Sequence, residues 1–272
     1  MLKKIKTSNL NRLIIGQLNI NSIQNKFEAL KAIMRSNIDI LIVTESKLDG
    51  SFPPSQFYID GYAPPFRLDR NNMGGGVIIY VREDIPSIEL SHHLFFHNFE
   101  GIFFEIRLRK VKWLIFGGYN PNKNNIQRFL EKLGSNLDCF MSKYENFLLL
   151  GDFNSELSEK AMNDFCEIYS LKSLIKDPTC FKSINNPSTI DLILTNNQRH
   201  FTNSTIIETG LSDHHKLTVT VLKTYFQKQP PLKISYRDYK KFDSFLFRNE
   251  LLNEVYNVYK GDISYAIFEE IT

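Results

Sequence analysis

Short apolar runs of strand length recur along the first 222 residues and alternate with segments of helical periodicity. The run at 12–20 is followed by a segment at 23–36 with apolar residues at helical spacing, and then by a second run at 38–46. This opening, together with the later strands and helices, predicts an α/β fold. We expect two packed β-sheets with helices on their outer faces.

The composition permits one large domain and argues against several classes of protein. Of the 272 residues, 42% are apolar, which is enough for a sizeable core. The net charge of +3 is compatible with a polyanionic partner but is too small to predict one. Cys139, Cys166 and Cys180 stand far apart without a CxxC pair, which favours a reducing compartment over a disulfide framework.

The sequence has no apolar run that approaches the roughly 18 residues a membrane span needs. The basic N-terminal segment is not followed by the apolar stretch of a secretory signal. We therefore expect a soluble intracellular protein, which would be nuclear if it acts on chromosomal DNA.

The composition of the chain changes near Leu222, after which the segment KTYFQKQPPLK begins. Its prolines and polar residues are typical of a linker, and helical periodicity follows. We predict one domain over 10–222, followed by a linker and a helical extension over 223–272.

Polar residues stand at the ends of several predicted strands. The first strand leads into Asn19 and Asn21, and the run FLLLGDFN leads into Asp152 and Asn154. Since residues i and i+2 of an extended chain face the same side, each pair is expected to point one way. A turn is the alternative for Gly-Asp-x-Asn, because this is ordinary loop chemistry.

Further polar residues accompany other strands. Glu45 follows the second strand, Asp191 lies inside TIDLIL, and Asp213 with His214 precedes the last strand. Buried carboxylates are costly unless they share a metal or a proton, and Mg²⁺ prefers oxygen ligands. With a histidine as proton donor or phosphate contact, the set predicts a metal-assisted phosphoester hydrolase.

Six motifs in a fixed order carry a resemblance to a known group. LNINS, VTES, GGYNP, LLLGDFN, STIDLIL and LSDHH, spread over about residues 10–222, resemble the endonuclease/exonuclease/phosphatase superfamily, which includes deoxyribonuclease I and the apurinic endonucleases. The segments LNINSIQNKFEAL, GGGVIIYVRE and LSDHHKL are similar in sequence to the endonuclease domain of LINE-type (non-LTR) retrotransposons. The resemblance implies a deoxyribonuclease I-like four-layer sandwich. It also implies an extension that leads toward a reverse transcriptase absent from this chain.

The resemblance implies roles for the acidic and amide residues. Glu45 would be the main metal ligand, assisted by Asn19, and Asp213 would complete the metal region. Asp152 would position or deprotonate the attacking water, and Asn154 would fix its geometry. Mg²⁺ is the implied ion, with Mn²⁺ as an alternative.

The resemblance also implies contacts with the scissile phosphate. His214 would contact the phosphate while Asp191 accepts from its other ring nitrogen, and Tyr119 would offer its phenol. His214 and His215 are adjacent, so only one can face the site from a strand. His214 is preferred because it follows Ser-Asp as in the family.

Three further residues are candidates for substrate contacts: Asn21, Thr179 and Ser212. Apurinic endonucleases usually carry Asp where this chain has Asn21, whereas LINE endonucleases carry Asn. This favours the retrotransposon type over abasic-site repair. Basic residues near the N-terminus and before the glycine run could follow a DNA backbone, namely Lys3, Lys4, Lys6, Arg12, Arg67 and Arg70.

The sequence thus predicts a Mg²⁺-dependent DNA endonuclease that leaves a 3′-hydroxyl and a 5′-phosphate. Two alternatives stay open. One is a repair endonuclease or a phosphatase of small phosphoesters from the same superfamily. The other is a catalytically silent, transposon-derived fragment that only binds nucleic acid or a protein.

Overall fold

The computed structural model describes residues 1–35, 37–71, 73–90, 100–226 and 242–258. The chain divides into two compact units, Met1–Gln229 and Pro230–Thr272. The backbone N–H groups of Lys223 and Phe226 donate to His200 and Asn11, both at 2.8 Å, so the first unit continues past the predicted boundary at least to Phe226. Residues 227–241 and 259–272 of the predicted extension lie outside the described residues.

The first unit contains two sheets of six strands each. The strands of the first sheet are β1 (Leu13–Asn19), β2 (Ile40–Thr44), β3 (Phe66–Leu68), β4 (Val77–Val81), β11 (Phe201–Ile207) and β12 (Leu217–Leu222). The strands of the second sheet are β5 (Ser87–Glu89), β6 (Gly101–Leu108), β7 (Val111–Tyr119), β8 (Asn146–Asp152), β9 (Lys172–Ser173) and β10 (Asp191–Thr195).

The strand order is β11, β12, β1, β2, β4, β3 in the first sheet and β5, β6, β7, β8, β10, β9 in the second. Both sheets are mixed: β1 pairs with β2 in parallel, β7 pairs with β8 in parallel, and the other neighbours are antiparallel. The long apolar strands β1, β2, β7 and β8 therefore lie inside the sheets, where both faces are covered.

Helices cover the outer faces of both sheets. These helices are α1 (Leu2–Thr7), α2 (Phe27–Met34), α3 (Ile126–Met141) and α4 (Lys160–Ile168). The second unit contains a separate helix, α5 (Ser244–Val258). The apolar sides of α1 and α2 pack on the first sheet, and those of α3 and α4 pack on the second. This confirms the predicted fold of two packed sheets flanked by helices. In α5, every residue whose side chain is described is exposed.

The core between the sheets sets their spacing. Alternate residues of each strand face this core, as Ile40 and Ile42 of β2 do. At Gly117 of β7 the approach is especially close: a Cβ there would lie 2.8 Å from Ile79 Cδ1 and 2.9 Å from Ile42 Cγ1. Only glycine fits at this contact without moving the facing side chains.

A second close approach lies within the second sheet, one residue before the end of β8. A Cβ on Gly151 would lie 1.9 Å from the carbonyl oxygen of Gly118 on the neighbouring strand β7. Glycine at this position lets β7 and β8 keep their pairing up to Tyr119 and Asp152. The ends of these two strands are thus fixed relative to each other by backbone contacts.

Candidate active site

Asp152 and Asp191 lie directly opposite each other on the antiparallel strands β8 and β10. Their exposed fractions are 1% and 0%. Burial, reinforced by the negative charge of Asp191, raises the pKa of Asp152 to about 7. A carboxyl group with such a pKa can accept a proton near neutral pH, as a general base does.

The imidazole of His215 lies beside this pair of carboxylates. Its Nδ1 is 2.9 Å from Asp191 Oδ2, and its side chain is 14% exposed. Burial alone would lower the pKa of His215, but hydrogen bonds with Asp191 and Cys180 and the charges of Asp191 and Asp152 outweigh it and raise the pKa to about 11. The ring is thus held as a cation, with its orientation fixed by Asp191.

The expectation that His214 pairs with Asp191 is wrong. The side chain of His214 is exposed, and its backbone carbonyl accepts a hydrogen bond from Phe181 N at 2.7 Å. The inward-facing histidine is His215, which forms an antiparallel bridge with Cys180. The motif LSDHH contains no signal that separates the two histidines, because their orientation depends on this distant pairing.

Asn19 links the two sheets at the site. It ends β1 of the first sheet, and its Nδ2 donates to Glu45 Oε1 and to Asp152 Oδ2, both at 2.9 Å. Its Oδ1 accepts the backbone N–H of Asn21 at 3.1 Å. The amide nitrogen therefore faces the carboxylates, which makes Asn19 a bridge that orients Glu45 and Asp152. Its role as a metal ligand stays a prediction.

Glu45 and Tyr119 form a second part of the site. Glu45 is half-buried and accepts a hydrogen bond from the hydroxyl of Tyr119, which is 7% exposed. Burial, then the charges of Glu45 and Asp152, raise the pKa of Tyr119 far above its ordinary value. The phenol is therefore a hydrogen-bond donor at any physiological pH.

Strand geometry was expected to make each second residue, Asn21 or Asn154, point the same way as the residue two positions earlier. This expectation fails because Asn21 and Asn154 lie beyond the ends of their strands. Their φ values are +48° and +49°, so the chain is no longer extended there. In each case the backbone N–H of the second residue donates to the side-chain oxygen two residues earlier, at 3.1 Å for Asn21 and 2.9 Å for Asn154. These are Asx turns, as the alternative interpretation of Gly-Asp-x-Asn predicted for the second case.

The side chains of these two asparagines have different partners. Asn154 Nδ2 donates to the carbonyl of Asn120 at 2.8 Å. Asn21 Nδ2 donates to Asp213 Oδ2 at 3.2 Å, and its Oδ1 accepts from Lys47 Nζ at 2.5 Å. Asp213 is exposed, so it lies at the rim of the site, and its predicted metal role stays a prediction.

Two of the residues predicted to contact DNA support the site from within the protein. Thr179 is 0% exposed, and its Oγ1 accepts from the backbone N–H groups of Ile190 and Asp191 at 3.2 and 3.0 Å. A DNA contact through its side chain is therefore ruled out by burial. Ser212 is half-buried, and its Oγ accepts from His215 N at 3.4 Å.

Two supporting residues were not predicted. Gln17, 0% exposed, donates its Nε2 to Asp191 Oδ1 at 3.1 Å and so occupies the oxygen that His215 leaves free. Its position as a polar residue inside the apolar run LIIGQLN could have indicated this supporting role from the sequence. Asn120 donates its Nδ2 to the carbonyl of Phe153 at 2.9 Å and so braces the turn after Asp152.

The donor set fits a divalent cation. Glu45, Asp152 and Asp191 bring three carboxylates to the site. The positive charge that lies beside the buried pair of Asp152 and Asp191 is that of His215. Ligand atoms of Asp152, Asp191 and His215 lie within 4.8 Å of one another. Carboxylate oxygens in excess of nearby positive charge are what a hard cation such as Mg²⁺ requires.

Three basic residues considered for DNA contact have other roles. Ion pairs within the fold hold Lys6 to Asp39, Arg67 to Asp69 and Arg70 to Glu100. Lys6 is buried, and Arg70 also donates to Gly74 O at 2.8 Å beside the glycine run. These three therefore stabilise the fold and are poorly placed to follow a DNA backbone.

Two mixed six-stranded sheets packed face to face, with helices outside and this polar cluster at one edge, define the deoxyribonuclease I-like class of α/β sandwiches. The chain belongs to the Endonuclease/Exonuclease/phosphatase family, whose sequence profile matches residues 16–214. Members of this family are hydrolases that act on phosphodiester bonds. The predicted membership and the four-layer arrangement are thus confirmed.

Solved structures share the fold at low sequence identity. The endonuclease domain of TRAS1, a telomere-specific non-LTR retrotransposon, is 15% identical with a TM-score of 0.60, and the match covers 78% of this chain and 99% of that one. The AP endonuclease LMAP from Leishmania major is 11% identical with a TM-score of 0.67, covering 78% and 88%. The 3′ phosphatase NExo from Neisseria, bound to a product DNA hairpin, is 15% identical with a TM-score of 0.58, covering 77% and 99%.

No curated protein sequence matches the chain. Among the helices that the structure describes, none has both the length and the apolar character to cross a membrane.

Proposed function

We propose that the chain is a metal-dependent DNA endonuclease of the retrotransposon type, which nicks a target by hydrolysing a phosphodiester bond. The observation that carries this proposal is the Asp191–His215 pair beside the buried Asp152, which Asn19 connects to Glu45. Membership of the family supports the reaction class. The likeness in fold to the TRAS1 endonuclease domain supports DNA as the partner.

Asp152 would accept the proton of the attacking water. Its two oxygens are oriented by Asn19 Nδ2 and by the backbone N–H of Asn154, both at 2.9 Å, and each oxygen keeps a second lone pair for a water molecule. A raised pKa, near 7, makes the carboxylate a stronger base than an exposed aspartate.

His215 would contact the scissile phosphate as a cation. Asp191 stabilises its charge from one side, and the remaining ring nitrogen, Nε2, is free of any carboxylate contact among the described residues. A phosphate that gains negative charge in the transition state is stabilised by such a fixed donor. Tyr119 would donate its phenol from the Glu45 side of the site.

Glu45, oriented by Asn19, would hold Mg²⁺, or Mn²⁺ in its place. When bound, the ion polarises the phosphate and stabilises the developing charge. The products would be a 3′-hydroxyl and a 5′-phosphate, as the resemblance to the family implies.

Plasmid nicking tests the proposal. With Mg²⁺, Asp152→Ala and His215→Ala should each lower the rate at least about a hundredfold, while EDTA abolishes it. His214→Ala is the matched control, because this exposed neighbour has no side-chain partner among the described contacts and should nick close to the wild-type rate. Equal nicking by all variants, or nicking that survives EDTA, would contradict the mechanism.

A comparison of substrates separates the related functions. We expect supercoiled plasmid to be cut in preference to a duplex with an abasic site and to a small phosphate monoester. Preference for the abasic duplex would identify a repair endonuclease, and preference for the monoester a phosphatase. DNA binding without cleavage of any of the three would identify a silent binding fragment.

A further inference from the structure

Cys180 lies against the ring nitrogen of His215 that Asp191 does not contact. The thiol Sγ is 3.7 Å from His215 Nε2, and Cys180 is 5% exposed. The two residues face each other across an antiparallel bridge. The backbone bonds on either side are Phe181 N to His214 O at 2.7 Å and Lys216 N to Thr179 O at 2.9 Å, so the backbones of Cys180 and His215 are held side by side.

This separation suits two ligands of one tetrahedral metal ion. At distances of roughly 2.3 Å to sulfur and roughly 2.0–2.1 Å to nitrogen, atoms 3.7 Å apart subtend between about 110° and 120° at a shared Zn²⁺. Behind the ring, Asp191 Oδ2 accepts from Nδ1 at 2.9 Å, which completes the carboxylate–histidine–metal arrangement usual at zinc sites.

The chemistry of the donors separates this position from the proposed Mg²⁺ site. A thiolate and an imidazole select Zn²⁺ over Mg²⁺, whereas the oxygens of Glu45 suit Mg²⁺. Asp191 stabilises positive charge on the ring whether a proton or a metal ion carries it. Water would fill the remaining positions, because the group of ligand atoms that lie within 4.8 Å of one another comprises Asp152, Asp191 and His215 and does not include Cys180.

We propose that Cys180 and His215 form a Zn²⁺ site that inhibits the enzyme. Zn²⁺ binds Sγ and Nε2, the displaced protons pass to solvent, and no electron transfer is involved. His215 is then unable to contact the phosphate through Nε2. The inhibition rests on the proposed nuclease function, whereas the binding of the ion does not.

Binding is tested with Co²⁺ as a spectroscopic substitute for Zn²⁺, in the absence of DNA. We expect the near-ultraviolet thiolate-to-Co²⁺ absorption band in the wild type and in Cys139→Ser, whose cysteine is exposed and lies on α3. In Cys180→Ser the affinity should fall at least about tenfold and the band should disappear. Absence of the band in the wild type, or an undiminished band in Cys180→Ser, would overturn the site.

Inhibition is tested by adding Zn²⁺ to plasmid nicking in excess Mg²⁺, with each variant compared with its own rate without zinc. The Zn²⁺ concentration for half-inhibition should rise at least about tenfold in Cys180→Ser and stay unchanged in Cys139→Ser. A wild type that shows the Co²⁺ band but does not nick DNA overturns the proposed function and leaves the site standing. A wild type that nicks DNA but shows equal inhibition with and without Cys180 overturns the inhibitory role.

Discussion

The side-chain amide of Asn19 in the first sheet donates a hydrogen bond to the carboxylate of Asp152 in the second sheet, at 2.9 Å. The same nitrogen donates to Glu45, so one amide group holds two carboxylates together that would otherwise repel each other. Gln17 makes a second such link, from β1 to Asp191 on β10. The candidate site is therefore assembled from both sheets and depends on their relative position.

The bridging role of Asn19 can be tested by comparing its substitution with that of Asn21, the turn residue two positions later. In Asn19→Ala, Asp152 loses one partner while buried, which should lower the free energy of unfolding by about 1–3 kcal/mol and slow nicking strongly. Asn21→Ala removes a side chain whose hydrogen bonds, within the described part of the chain, are with Lys47 and Asp213 at the rim, and should have the smaller effect on both. Urea unfolding and plasmid nicking of the two variants provide the measurement, and an equal loss in both would contradict the bridging role.

Asp191→Asn should leave His215 without its anionic partner. The variant keeps the shape of the side chain but loses the charge that holds the imidazole as a cation, so nicking should fall by about 10- to 100-fold. The pH dependence of the rate should change as well, because the pKa of His215 returns toward its ordinary value. Asp164→Asn, at an exposed position of α4, is the control and should behave as the wild type.

Gly151→Ala should destabilise the fold next to Asp152. The added Cβ would lie 1.9 Å from the carbonyl oxygen of Gly118, and backbone atoms can relieve this contact only by separating β7 from β8. We expect a loss of about 3 kcal/mol in the free energy of unfolding, measured by urea denaturation. Gly50→Ala is the control and should change the free energy of unfolding little, because a Cβ there meets nothing within 4 Å. An equal loss in the two variants would show that the contact with the Gly118 carbonyl is relieved without a cost in stability.

The Asp191–His215 pair should make stability depend on pH in the absence of metal. The pKa of His215 rises from 6.5 to about 11 on folding, so its contribution is fully present below pH 6.5 and is lost as the pH rises toward 11. The difference in Tm between the wild type and His215→Gln, measured in EDTA, should therefore be largest below pH 6.5 and shrink above it. His214→Gln should show no such pH-dependent difference, and a constant difference for His215→Gln would contradict the pairing.

Much of the fold could be predicted because the interior strands are long and apolar. Strands such as β1, β2 and β8 are covered on both faces, and such burial requires the continuous apolar runs that mark them in the sequence. The strands β3, β5 and β9 have only two or three residues and lie at sheet edges, where no periodic pattern can develop. Their pairing is decided by neighbouring strands that are distant in the sequence.

The residues that form the site could be predicted more readily than the directions in which their side chains point. Asp152 and Asp191 stood out because a carboxylate in an apolar run is costly unless it has partners, and the structure places them face to face. The choice between His214 and His215 depends on the bridge to Cys180, which local geometry does not determine. The burial of Thr179 likewise results from packing against β10, and a threonine in a loop gives no sign of it.

The close contact of the sheets at Gly117 has a consequence for how substitutions far from the substrate act on the rate. Since Asn19 and Gln17 lie on a strand of one sheet and Asp152 and Asp191 on strands of the other, a side chain that pushes the sheets apart also lengthens the hydrogen bonds that cross between them. A methyl group at Gly117 would press on Ile42 and Ile79 without touching DNA. For the proposed nuclease, the packing between the sheets would therefore influence the reaction rate, and selection could adjust that rate through residues that never contact the substrate.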